Sequence, residues 1–149
     1  MSNATLGYGA KLLMHDGTAA YLLANYAEIG EISTGPDDDE SISEVNVTNH
    51  QSPGRRLEKI AGLIDGGSIN ITCNYIPGDA TQDRATGLQS LFATGEVRRF
   101  LIIEPGNTQA IQVDCFVSSR ATTRPVEDKM EISFNLTKTG NETLVAIPT

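Results

Sequence analysis

The chain has 149 residues, with 11 basic and 19 acidic side chains and a formal net charge of −8. A chain of this size forms one domain that buries roughly 68–70% of its unfolded surface. The acidic balance excludes a protein that grips nucleic acid through a basic patch, and no apolar run approaches the ~20 residues that span a bilayer.

Residues 1–15 lack the apolar core of a secretory signal. Two short apolar runs, 11–14 and 21–26, flank His15-Asp16-Gly17. Asp-Gly is a hairpin signal, so an N-terminal hairpin is expected, with residues 28–33 continuing its second strand. Residues 34–40 hold four consecutive acids, Asp37, Asp38, Asp39 and Glu40, and read as a solvated loop. They do not form an EF-hand, because the sixth position from Asp37 is Ile42 and the twelfth is Thr48.

Residues 41–49, with Val45 and Val47, read as a strand. A polar connection follows: His50, Gln51, Ser52, Pro53, Gly54, Arg55 and Arg56. Connections this long in a compact domain commonly carry function or form an interface. Arg55 and Arg56 are suited to phosphate or to pairing with acids elsewhere.

The stretch 60–75 is the centre of the chain. Its apolar first half ends in Asp65-Gly66-Gly67, where the glycines let the backbone turn or bulge. Its second half alternates, with Ile69, Ile71, Cys73 and Tyr75 on one face and Ser68, Asn70, Thr72 and Asn74 on the other. That period marks a half-buried strand. Its polar face has no charge, unlike most solvated strand faces; an ordinary uncharged outer face is the simple alternative.

A helix is expected over about 80–94, with Asp79 as N-cap, Gln82 completing a capping box and Gly95 beyond the end. Its apolar stripe is Ala85, Leu88, Leu91 and Phe92. Residues 97–103 and 110–117 read as strands about a turn at 104–107, followed by a polar link at 118–125. Met130, Ile132, Phe134 and Leu136 then alternate with Glu131, Ser133, Asn135 and Thr137, giving a second long strand with a nearly neutral polar face. Gly140-Asn141 is expected to close that strand, leaving a short tail at 144–147. No repeat, linker or second domain is visible.

Cys73 and Cys115 both lie in alternating strand patterns, far apart and without metal spacing. They read as small core residues, with a disulfide between them as the alternative. Five Asn-x-Ser/Thr triplets, at Asn3, Asn46, Asn70, Asn135 and Asn141, are read as incidental in a chain without a secretory signal. No nucleophile elbow or P-loop occurs, and Gly7-Tyr8-Gly9 departs from a dinucleotide fingerprint at Leu12. No enzyme activity, cofactor or metal is expected.

The ordered set of segments resembles a known family. His50-Gln51-Ser52-Pro53-Gly54 precedes Ile60-Ala61-Gly62-Leu63-Ile64-Asp65-Gly66-Gly67, and the central strand ends in Asn74-Tyr75-Ile76-Pro77-Gly78-Asp79. After the helix comes Thr94-Gly95-Glu96-Val97; later come Pro125-Val126-Glu127-Asp128-Lys129 and Thr137-Lys138-Thr139-Gly140. Together with Gly7-Tyr8-Gly9, this resembles the tail tube proteins of long, non-contractile-tailed bacteriophages across nearly the whole chain. The resemblance implies a mainly β fold, a β-sandwich or barrel with one flanking α-helix, in a single domain over 1–149. Some family members carry a C-terminal immunoglobulin-like domain, which is not expected within these residues.

The resemblance further implies a virion protein, made in the host cytoplasm, whose hexameric rings stack into a tube that conducts the genome into the host. Its implied partners are further copies of itself and the tape measure, tail terminator and tail tip proteins, with DNA passing unbound and no membrane contact. On that reading Ser68, Asn70, Thr72, Asn74, Glu131, Ser133 and Asn135 line the lumen. His50, Gln51, Ser52, Pro53, Gly54, Arg55 and Arg56 form a contact between rings or subunits. Two rivals stand beside it: a secretion-system tube subunit of the same architecture, and a monomeric β-sandwich binding module.

Overall fold

The computed structural model describes residue 4 and residues 6–148; Asn3 lies outside them. Nine strands and one α-helix follow in order: β1 (Lys11–His15), β2 (Tyr26–Glu28), β3 (Ile32–Asp38), β4 (Ser41–Asn46), β5 (Lys59–Asp65), β6 (Ser68–Asn74), α1 (Leu88–Thr94), β7 (Arg98–Ile103), β8 (Gln109–Thr123) and β9 (Glu131–Ala146). Seven strands form one antiparallel sheet in the order β2-β1-β7-β8-β9-β6-β3, while β4 and β5 pair only with each other.

One face of the sheet supplies the core. Leu12 and Met14 of β1, Phe100 and Ile102 of β7, Val113 and Cys115 of β8, Ile132, Phe134 and Leu136 of β9, and Ile69, Ile71 and Cys73 of β6 belong to one buried cluster. A seven-residue helix is only about 10 Å long, whereas β1 and β6 stand about 19 Å apart in a flat sheet. The helix alone cannot cover that face: Ile29, after β2, is buried in the same cluster, and Ile32, Tyr75 and Ile111 pack against it. Both cysteines are free and buried there, and burial pushes each thiol pKa up to about 12.

The helix is shorter than its sequence pattern suggests. Asp79 caps a single turn instead, its carboxylate accepting from the Thr81 N–H at 2.8 Å and the Thr81 hydroxyl at 2.7 Å. Asp83 Oδ1 then collects the N–H groups of Ala85, Thr86 and Gly87, which bends the chain before Gly87 starts α1. Short polar side chains compete with the helix for backbone donors, and here they win. Gln82 is fully buried: it accepts from Ile76 N–H at 2.9 Å and donates to the carbonyls of Asn74 and Gly30. Leu88 and Leu91 face the core as expected, but Phe92 is 40% exposed, with the Arg120 guanidinium 5.7 Å from its ring.

Other boundaries also move. Residues 21–25 are not strand: they fold back over His15, whose Nδ1 accepts from Gly17 N–H while Nε2 donates to Ala20 O. The acidic segment is not a free loop, since Asp37 and Asp38 belong to edge strand β3, which tolerates Pro36 at a register shift. β8 runs on through the expected polar link to Thr123. β9 continues past Gly140 (φ 86) to Ala146, its far end re-pairing with β8 across a bulge.

Candidate channel face and assembly arm

The seven polar-face residues of β6 and β9 meet on one surface. In register, Asn70 faces Asn135, Thr72 faces Ser133, Asn74 faces Glu131, and Ser68 faces Thr137. Directly paired residues share a face, so these side chains stand opposite to Ile69, Ile71, Ile132 and Phe134 in the core. The rows extend to the neighbouring strands: Asp37–Asn70–Asn135–Ser119 is one, and Thr34–Thr72–Ser133–Ala121 is the next. The Thr72 and Ser133 hydroxyls lie 3.2 Å apart. No row member is Lys or Arg; Asp37 and Glu131 are the charged ones, and Glu131 sits 3.7 Å from Lys129 just beyond the strand. Phe116, opposite Thr137, is the aromatic at one end. Toward β1 and β7 the same side of the sheet turns apolar, where Leu13, Leu101 and Ala110 are covered by Tyr26, Ile103, Val145 and Ile147.

The expected contact segment is the tip of a projecting ribbon. β3 leads into β4, and β5 into β6, so one long hairpin is sheet at its base and arm beyond. Every residue of β4 is exposed, and β5 is exposed apart from Gly62. Two directly opposed apolar pairs, Ile42 with Ile64 and Val45 with Ile60, are 46% to 67% exposed. A two-stranded ribbon with no second layer is marginal on its own, and among the described residues these side chains stay about half exposed or more. The paired part is about 20 Å long.

At the tip, His50 to Arg56 are exposed except for half-buried Ser52. The tip is bonded within itself: Asn49 N–H donates to Ser52 Oγ, and Ser52 Oγ donates to Glu58 Oε2 at 2.9 Å. Gly54 and Arg55 both hold left-handed backbone, φ 63 and 58. Arg55 and Arg56 form no ion pair among the described residues.

Sequence reasoning missed Lys138. Its side chain is 1% exposed, and Nζ donates to Asp38 Oδ2 (3.1 Å), Asp39 O (3.2 Å) and Glu142 Oε2 (3.3 Å) at the arm's root. The signal was readable: Lys138 follows Ile132, Phe134 and Leu136 in the inward register of β9. Burial disfavours the ammonium charge, yet the carboxylates outweigh it and hold its pKa above the usual lysine value. Glu142 is pushed up by its bond to Glu40 and by burial, against the pull of Lys138.

No metal-holding cluster of His, Cys, Asp and Glu occurs among the described residues, and no helix there is long and apolar enough to cross a membrane. Among solved structures, the fold is similar to a subunit in the tail of an empty gene transfer agent particle with C6 symmetry. The identity is 19%, with 96% of this chain and 100% of that one covered and a TM-score of 0.75. It is also similar to the SPP1 tail tube (21% identity, 98% and 81% covered, TM-score 0.72). The sheath–tube complex of an extracellular contractile injection system shares the fold as well (12%, 97% and 93%, TM-score 0.66), so the fold is common to contractile and other tails. Comparison with curated proteins gives no match. The family model described as Lambda phage tail tube protein, TTP, matches residues 15–145, and the chain belongs to that family.

Proposed function

We propose that this chain is the structural, non-enzymatic subunit of a long, non-contractile phage tail, and that six copies close into a ring and stacked rings form the genome's passage. The observation that carries this reading is the neutral-to-acidic face of β3, β6, β9 and the far half of β8, with Asn70, Asn135, Thr72 and Ser133 at its centre. A wall touched by DNA must be wet without gripping it. Lysine or arginine there would displace phosphate counterions and hold the strand; Asn, Ser and Thr hydrate without doing so. Six copies at −8 give −48 per ring, which repels phosphate further.

Ring closure also answers the sheet's two free edges, β2 and β3, which would otherwise invite uncontrolled pairing. The exposed Ile42, Ile60, Ile64 and Val45 suit the arm to lie against another copy of the chain, with His50 to Arg56 at the contact. Tape measure, terminator and tip proteins are the further partners in this reading, and the virion tail is its place. Purified protein at high concentration, with and without native tail tips as nuclei, tests it by electron microscopy. Six-fold rings and hollow tubes are expected. A chain that stays monomeric under both conditions favours a monomeric binding module, and tubes that assemble only inside a contractile sheath favour the injection-system reading that the shared fold supports.

A further inference from the structure

The arm joins the sheet through two short links, Asp39-Glu40 between β3 and β4 and Gly66-Gly67 between β5 and β6. The second contains a left-handed glycine (Gly67, φ 70) whose added Cβ would run into Asp39, so the two links are packed tightly together. Asp39 Oδ1 accepts from Ser68 N–H at 2.8 Å, and Asp65 Oδ1 from Gly67 N–H at 2.9 Å. Such a pair of links is a natural pivot. A rotation of about 10° there moves the tip of a ~20 Å ribbon by roughly 3.5 Å, enough to unseat side chains from a packed contact.

Lys138 touches both links at once. Its Nζ bonds to Asp38 at the end of β3 and to the Asp39 carbonyl on the first link, and its main-chain N–H donates to Gly67 O at 3.0 Å on the second. Gly66 packs on its stem, since a Cβ there would stand 3.3 Å from Lys138 Cβ. Glu142, four residues further along β9, holds the ammonium from the body side at 3.3 Å. A lysine this buried keeps its charge only where partners compensate it, and among the described residues those partners are Asp38, the Asp39 carbonyl and Glu142.

We propose that Lys138 is the pin that fixes the direction of the arm relative to the sheet, a positioning residue for ring stacking that itself touches no neighbouring ring. The stacking half of this inference rests on the tube reading above; the pinning half does not. The test uses the full chain with Lys138→Met, which keeps the stem and removes the ammonium. Amide exchange of Asp39 and Ser68, whose N–H groups close the link, is expected to speed up by on the order of tenfold while Ile71 and Phe134 in the core stay unchanged. Tube yield by electron microscopy is expected to fall by a similar factor. Unchanged exchange at the root overturns the pin, and loosened roots with wild-type tube yield overturn its role in stacking. If K138M does not fold, Glu142→Gln takes its place: it leaves the ammonium with Asp38 and should accelerate the same amides to a smaller degree, and wild-type exchange there overturns the pin equally. A wild-type chain that forms no tubes defeats the tube reading, and exchange at Asp39 and Ser68 still decides the pin.

Discussion

Asn70 and Asn135 face each other directly across β6 and β9, with Asp37 beyond the first and Ser119 beyond the second. Replacing both by lysine places two new positive charges in each of six subunits around the proposed passage. Like charges directly opposite cost about 0.2–1 kcal/mol, small against a domain stability of about 5–15 kcal/mol, so the rings should still form. DNA ejection from assembled phage should slow at low salt and recover as salt rises, because screening shortens from about 10 Å at 0.1 M to about 3 Å at 1 M. Ejection rate against ionic strength is the measurement. Wild-type rates at low salt, in tails seen to be intact, would take these strands off the channel wall.

Leu88 is fully buried, while Phe92 on the same helix is 40% exposed. Leu88→Ala should therefore lose about 2–5 kcal/mol of stability, and Phe92→Ala about 1 kcal/mol or less. Denaturant unfolding of the two variants reads this directly, and a larger loss at Phe92 would contradict the way the helix is seated.

Gln82 holds Ile76 N–H and the Asn74 carbonyl at 2.9 and 3.0 Å in a fully buried position. Leucine fits the space but leaves those groups unpaired, so Gln82→Leu should cost about 2–4 kcal/mol. A melting temperature unchanged from wild type would mean the loop over 76–87 is held by other bonds.

The Asp83 carboxylate sits below its ordinary 3.8 chiefly because Thr86 N–H donates to it; desolvation opposes this, and Gly87 and Ala85 N–H and the Thr86 hydroxyl reinforce it. A depressed folded value means that its stabilisation is present above 3.8 and is lost as pH falls through the folded value. Asp83→Asn keeps the shape without the charge. Its melting temperature should lie below wild type at neutral pH, and the gap should close in acid; a gap independent of pH would remove the carboxylate from the explanation.

Deleting residues 51–56 removes only the outer tip of the arm, where Ser52 is bonded to Asn49 and Glu58 and nothing reaches the core. The shortened chain should unfold like wild type yet fail to polymerise. Normal tubes from this variant would make the tip a passive loop.

Much of this was legible in the residues because period-2 alternation is a strong signal where one face is buried. Ile69, Ile71 and Cys73 against Ile132, Phe134 and Leu136 marked both long strands and their faces, although their direct pairing required the register. The arm was half legible: Val45 read as a strand residue and Ile60 only as part of an apolar run, and their exposure is a tertiary property that no local pattern reports. The helix was overextended because Asp79, Thr81, Gln82 and Asp83 have helix-start chemistry and spend it on successive turns. Strand ends failed where mostly polar residues continue the pairing without an apolar alternation, as at Ser119 to Thr123 and across Gly140.

The arm and the edge of the proposed channel wall are continuous, β3 running on into β4 and β5 into β6. β5 passes into β6 through Gly66-Gly67 alone, and β6 is zipped to β9 along seven residue pairs from Ser68 to Asn74. In a tube whose rings are joined by these arms, bending stretches the outer side of the curve. The tension there enters β6 along its axis and loads its hydrogen bonds in shear, all together, instead of peeling them one by one. A tail built this way would pass bending load through the pinned root into the whole β6–β9 ladder at once, so that the strands proposed to form its wall resist it together.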